Sequence, residues 1–136
     1  MVNHIFFYGT LMRKYAPECL FEAYKSLTFV GKGYVCGKLY YLGIYPGIIL
    51  DGEGKVFGEV FRITDESCLP WFDYYEGFYP NDQGSLFVRR VSKVYITSGE
   101  VVKSWVYEYN GSVEKAEFIE SGDFEKYLNF KEICFQ

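Results

Sequence analysis

The sequence predicts an α+β domain of mostly antiparallel strands in a curled or closed sheet. Three observations lead there. About seven apolar, strand-like segments are distributed along the chain, and tight turns rich in Gly, Pro and Asn join most consecutive pairs. Such turns connect antiparallel neighbours, whereas parallel strands need long crossovers. Three short helical patterns are interspersed with the strands, which argues for α+β rather than an all-β sandwich. Finally, 14 Tyr, 13 Phe and 2 Trp bring the aromatic content to 21%. Aromatics suit strands and can line an apolar pocket. At 136 residues the chain is expected to form one domain, 1–136, with room for a real core.

Residues 2–11 read as a buried strand, a short apolar and aromatic run that breaks at Gly9. Gly9 permits a positive φ or a close approach to a ligand. Thr10 follows with a hydroxyl and an N–H near the turn. Exposed N–H groups at such a turn form a nest for a small carboxylate or phosphate. After a polar connection, Pro17 opens a helical segment over 17–24, because proline is tolerated where its missing N–H has no partner. Residues 27–50 read as strands punctuated by glycine. Both faces of 35–41 carry apolar residues, so both are expected to be partly covered. Tyr45-Pro46-Gly47 is a turn signal, and Asp51-Gly52-Glu53-Gly54 a hairpin connection. Residues 56–63 form the next strand, where Gly58 suggests a bulge or a close approach.

Thr64 or Asp65 can cap the following helix. Pro70 in mid-helix would cost roughly 3 kcal/mol. The helix proper is therefore expected to begin near Pro70, after a separate turn, and to end at Gly77. Residues 79–85 are a polar loop. Residues 86–96 and 101–109 are long strands, Asn110-Gly111 is a turn, and Ser121-Gly122-Asp123 caps a short helix over 124–128. The tail, 129–136, reads as a loop or edge.

Hydrophobic residues make up 49% and charged residues 24%, as in ordinary soluble proteins. The net charge is −4, and no basic cluster stands out beyond Arg89-Arg90, so nucleic acid is not an expected partner. No signal-peptide pattern and no apolar run of membrane-spanning length is visible, which makes a cytoplasmic protein without a membrane partner the expectation. Cys19, Cys36, Cys68 and Cys134 are scattered, and His4 is the only histidine. Zinc sites show closely spaced ligand pairs, so no metal is expected.

A second informative stretch is Phe72-Asp73-Tyr74-Tyr75-Glu76-Gly77-Phe78-Tyr79. Glu76 ends a helix among aromatics. Desolvation and the negative end of the helix dipole both raise the pKa of such a carboxylate, which suits general acid/base work near neutral pH. Asp73 is expected to fix the helix end through hydrogen bonds. Glu59 is a second candidate carboxylate, expected to pair with Arg62 or Arg89; Arg89-Arg90 could bind an acidic substrate, though surface ion pairs are the more frequent use of such residues.

Taken in order, several motifs resemble the gamma-glutamylcyclotransferase-like, or AIG2-like, family. They are Tyr8-Gly9-Thr10-Leu11, Gly37-Lys38-Leu39-Tyr40, Gly43-Ile44-Tyr45-Pro46-Gly47, Val56-Phe57-Gly58-Glu59-Val60, Phe72-Asp73-Tyr74-Tyr75-Glu76-Gly77-Phe78, Phe87-Val88-Arg89 and Trp105-Val106-Tyr107. Phe72 stands where the family pattern has Leu, and Phe87 where it has Tyr. The resemblance implies a mixed, barrel-like α+β fold with a pocket between the first loop and a catalytic Glu. It also implies a small-molecule gamma-glutamyl substrate whose α-amine attacks its own γ-carbonyl, releasing 5-oxoproline and an amine or amino acid. On this reading Glu76 is the general acid/base. The N–H groups of Gly9, Thr10 and Leu11 bind negative charge, and Tyr8, Tyr45 and Phe78 shape the pocket. No cofactor is needed, and the protein is expected as a monomer or homodimer. Two alternatives carry the same fold: a cyclotransferase specific for gamma-glutamylamines, and a binding domain without turnover.

Overall fold

The computed structural model describes residues 1–134 and contains eight strands and three α-helices, with short 3-10 turns between them. In chain order the strands are β1 (His4–Phe7), β2 (Leu27–Cys36), β3 (Lys38–Tyr41), β4 (Pro46–Ile49), β5 (Lys55–Ile63), β6 (Phe87–Ile96), β7 (Val101–Tyr109) and β8 (Glu117–Ile119). The helices are α1 (Phe21–Tyr24), α2 (Leu69–Tyr75) and α3 (Phe124–Cys134).

Five strands close on themselves in the order β1-β5-β2-β6-β7, with β7 returning to β1. Four of these five contacts are antiparallel. The closing one, His4 and Ile5 against Ser104 and Trp105, is parallel. The remaining strands extend from the barrel as β7-β4-β3-β8, joined to it by a parallel contact between Ile48 and Glu108. The expected mixed, mostly antiparallel barrel is therefore what forms.

Both faces of β1 are buried. Phe7 packs outward against Phe61, Phe72 and Tyr24, with ring centroids 5.3–6.1 Å apart. This aromatic cluster seats α1 and α2 on the barrel wall. Phe6 faces the interior, where a Cβ at Gly58 would meet its ring and the Phe7 carbonyl. Gly58 is thus a close-approach glycine, and the β-bulge lies on the partner strand, between Phe29 and Gly31.

Several sequence expectations shift by a few residues. The turn before β4 is closed by Leu42 N–H on Tyr45 O (2.9 Å), with Gly43 at φ +99°, while Pro46 and Gly47 already belong to β4. Gly47 is required there because a Cβ would lie 2.8 Å from Leu42 and 2.9 Å from Tyr109 side-chain atoms. Residues 51–54 are no hairpin, since β4 and β5 are not neighbours in the sheet. β8 is a three-residue edge strand, too short for alternation to reveal. The helix over 124–128 continues to Cys134. The Asp123 carboxylate accepts from Lys126 N–H (3.1 Å), and no Gly or Pro interrupts the following residues. The rest of the expected tail, 135–136, lies outside the described residues.

The outer edge of β7 is shared. It pairs with β1 at Ser104 and Trp105 and with β4 at Glu108, so the two strands diverge where β1 ends. Tyr8, the first residue after β1, fills the fork. Its hydroxyl donates to Tyr107 O on β7 (2.7 Å) and accepts from Ile48 N–H on β4 (3.2 Å). Replacing Tyr8 with Phe leaves both backbone groups buried without this partner. We expect Tyr8→Phe to cost about 1–3 kcal/mol in urea unfolding, with an unchanged m-value. A loss below ~0.5 kcal/mol would mean that the hydroxyl does not hold the fork.

Candidate active site

The loop leaving the fork turns at once, with Met12 N–H bonded to Gly9 O (3.0 Å). Gly9 does not use a positive φ. It is needed for space, because a Cβ would lie 2.5 Å from Pro46 Cγ. Among the described residues, no acceptor pairs with the backbone N–H groups of Gly9, Thr10 or Leu11. Successive unpaired N–H groups at a turn make a concave anion-binding surface.

The facing element is the C-terminal end of α2. Asp65 caps the preceding 3-10 turn by accepting from Ser67 N–H (2.9 Å), and Pro70 sits in the first turn of α2, where its ring costs nothing. The helix ends in a Schellman motif. Gly77, at φ +66°, donates to Tyr74 O (3.1 Å), and Phe78 N–H donates to Asp73 O (2.9 Å). This places Glu76 at the C-cap. Leu86 N–H then bonds Gly77 O (2.9 Å), tying the helix end to the segment that enters β6.

A buried polar cluster holds the helix from beneath. Arg89 on β6 makes a two-pronged contact with Asp73, Nε to Oδ1 at 2.8 Å and Nη2 to Oδ2 at 3.2 Å. The Tyr107 hydroxyl donates to Asp73 Oδ1 (2.7 Å). The guanidinium also lies 4.2 Å over the Trp105 ring. Asp73 therefore fixes the helix end, as its spacing suggested. Tyr107 serves both sides of the site: its side chain holds α2 and its carbonyl holds Tyr8.

Between loop and helix lies a cavity of about 290 Å³. Of the residues singled out from the sequence, Tyr8, Gly9, Thr10, Leu11, Tyr45 and Glu76 all line it. Phe78 does not; its ring packs on the core and lies 5.9 Å from the Arg89 guanidinium. The sequence reading did not single out Ile44, Pro46 and Tyr75 as wall residues, although all three lie in motifs it had recognised, nor Leu86, which has no pattern of its own. Tyr107 is a further wall residue from a recognised motif, and Phe87, noted from the sequence for the hydroxyl it lacks, lines the wall as well. Burial raises the Glu76 pKa to about 8. Among the described residues no hydrogen bond or ion pair reaches its carboxylate, and the residue stays partly exposed through the cavity. Burial also pushes the Tyr8 phenol upward, so it stays neutral.

Glu59 is elsewhere and differently paired. It accepts from Arg13, at N (2.8 Å) and Nε (3.0 Å), and not from Arg62 or Arg89. Arg90 pairs with Glu108 at 2.6 Å on the surface. Arg89, expected on the surface, is largely covered and paired with the buried Asp73. Among the described residues, no group of three or more His, Cys, Asp or Glu side chains is placed to hold a metal ion. No helix among them is long and apolar enough to cross a membrane.

Comparison with known proteins bears on the family and the fold. The chain is 34% identical over 87 residues to the gamma-glutamylcyclotransferase family protein YtfP of Escherichia coli K12. That match covers 64% of this chain and 66% of the relative, just under two thirds of its length. The solution structure of E. coli YtfP superposes with a TM-score of 0.62 at 30% identity, covering 88% of this chain and 94% of that one. An AIG2-like protein of Mus musculus gives a TM-score of 0.70 at 26% identity, covering 88% and 86%. Bacillus subtilis YkqA shares the fold, with a TM-score of 0.73 at 21% identity; the match spans 97% of this chain and 43% of YkqA. The family model described as gamma-glutamyl cyclotransferase, AIG2-like, matches residues 5–126, and the chain belongs to that family.

Proposed function

We propose that this protein is a gamma-glutamylcyclotransferase that converts a gamma-glutamyl amide to 5-oxoproline and a free amine, with Glu76 as the general acid/base. The observation that carries this reading is the pairing of a desolvated carboxyl, at a pKa of about 8, with a loop of unpaired N–H groups across one small cavity.

The nucleophile is already part of the substrate, so the site has no need of a Ser or Cys. Folding the gamma-glutamyl chain back brings the α-amine to the γ-carbonyl, and intramolecular attack of this kind has a high effective molarity. The N–H groups of Gly9, Thr10 and Leu11 bind the substrate's negative charge, its α-carboxylate or the developing oxyanion. As the new C–N bond forms, Glu76 takes a proton from the attacking nitrogen. It then returns a proton to the leaving nitrogen as the old C–N bond breaks. No net proton is gained or lost. An ordinary glutamate is a poor acid at pH 7, whereas one near 8 serves in both directions.

Removing the carboxyl tests its role. Glu76→Gln should lower kcat by roughly 10²–10⁴ while KM changes only a few-fold, measured as 5-oxoproline release. Wild-type-like turnover in that variant would dismiss Glu76 as the base, and ligand binding by the wild-type protein with no product would favour a binding domain.

The pH dependence has a definite sign. The base form of Glu76 predominates only above its pKa, so kcat/KM, with the substrate's own amine titration divided out, should rise through about pH 8 and then level off. A plateau already reached by pH 6 would contradict the assignment.

Tyr107 is a positioning residue on this account, because its hydroxyl acts on Glu76 through Asp73 and α2. Tyr107→Phe keeps the carbonyl that binds Tyr8. It should lower kcat roughly tenfold with little change in KM. Equal changes in both parameters would point to a general loosening of the pocket instead.

A further inference from the structure

Glu59 is buried on β5, behind the first loop, and does not line the cavity. Its two oxygens are divided between two tasks. Oε1 accepts from the backbone N–H of Arg13 (2.8 Å), where the loop ends. Oε2 accepts from Arg13 Nε (3.0 Å) and lies 3.0 Å from Nη2. The guanidinium rests 3.4 Å over the Phe29 ring. Arg13 thus neutralises the buried carboxylate, and Oε1 is left to hold the backbone. A buried ion pair adds little net stability over apolar packing, so stability alone does not account for a glutamate here.

A second anchor comes from α1. The Tyr24 hydroxyl donates to Leu11 O (2.5 Å). Its ring is fixed against Phe7 and Phe72, at centroid distances of 6.1 and 5.2 Å. Burial raises the pKa of this phenol, so it stays a donor.

These bonds engage every polar group of the two peptides that follow Leu11. In the first peptide, Tyr24 takes the Leu11 carbonyl and Gly9 O takes the Met12 N–H (3.0 Å). In the second, Tyr15 N–H takes the Met12 carbonyl (2.9 Å) and Glu59 takes the Arg13 N–H. The N–H groups of Gly9, Thr10 and Leu11, just before, are the ones left for the cavity. A free loop would turn such groups toward water or a nearby carbonyl, because an unpaired N–H is costly. Rotating either anchored peptide would break a bond at each of its ends.

We propose that Glu59 and Tyr24 are positioning residues that hold the anion-binding loop in shape from behind, before any ligand arrives. Donors fixed in advance need no rearrangement at the moment of reaction. The effect on turnover rests on the cyclotransferase reading; the effect on the loop does not.

Two readouts on the full chain separate these effects. Nitrogen-15 relaxation of the Gly9, Thr10 and Leu11 amides, without ligand, reports the loop itself. Their order parameters should lie near ~0.85 in the wild type and fall below ~0.6 in Glu59→Ala. Tyr24→Phe keeps the ring, removes only the donor, and should loosen the same amides. Glu59→Gln retains a carbonyl acceptor for the Arg13 N–H and should recover most of the order that alanine loses. The second readout is 5-oxoproline release from whichever of gamma-glutamyl-alanine and gamma-glutamyl-ethylamine the wild type converts. Its kcat/KM should fall roughly 10–100-fold in Glu59→Ala and about tenfold in Tyr24→Phe, with Glu59→Gln again recovering most of the loss. Glu76 should still titrate near pH 8 in all three variants, which a collapsed cavity would not allow.

Loop amides that stay rigid in both Glu59→Ala and Tyr24→Phe would overturn the proposal. So would a loosened loop with wild-type kcat/KM, which would leave the cyclotransferase reading intact. No 5-oxoproline from either compound would count against the cyclotransferase reading, and the order parameters would still decide whether the two residues hold the loop.

Discussion

The shared outer edge of β7 is the constraint on which the rest of the structure depends. One strand edge cannot pair with β1 and β4 over the same residues, so it pairs with β1 at Ser104 and Trp105 and with β4 further along, at Glu108. Backbone groups at the divergence still need partners, because a buried unpaired N–H or C=O costs as much as a lost hydrogen bond. The Tyr8 hydroxyl supplies one donor and one acceptor there. The chain must then leave the sheet at Gly9, and its next N–H groups have no strand to bond. The cavity opens in the wedge between the diverging strands. The anion-binding loop is thus a consequence of how the barrel closes.

The second half of the site depends on a buried ion pair whose value is placement. A carboxylate and a guanidinium taken out of water gain little net stability over well-packed apolar groups. Arg89, Asp73 and the Tyr107 hydroxyl instead hold the last turn of α2 at a fixed height above the sheet, and the Schellman motif at Gly77 sets where that turn stops. Glu76 is the residue left at the end, facing the cavity with no partner among the described residues. Its ionised form is disfavoured by the same burial that makes it useful, a common arrangement where local stability yields to chemistry.

Much of this was legible in the sequence because the relevant signals are local. Gly77 after a helical pattern, Pro70 within one, and an apolar run ending at Gly9 each imply a backbone geometry that formed close to where it was expected. Glu76 stood out because aromatics surround it in sequence as well as in space. The overlooked features depend on partners distant along the chain. Nothing near Gly9 reveals that Pro46 will lie against it, and nothing near Glu59 names Arg13. Phe78 was expected in the pocket from the resemblance, yet its ring packs against the core. β8 carries too few residues for a periodicity. Arg89 was read as a surface charge because the sequence does not show that its strand passes beneath α2.

The central claim is that the fold desolvates one carboxyl beside an anion-binding loop. Direct titration of the Glu76 side chain tests it most simply, by carboxyl carbon-13 NMR with Glu76→Gln as the assignment control. The account predicts one glutamate resonance titrating near pH 8, lost in the variant and well separated from the other carboxylates. A Glu76 carboxyl that titrates with the ordinary glutamates, near ~4.3, would contradict it.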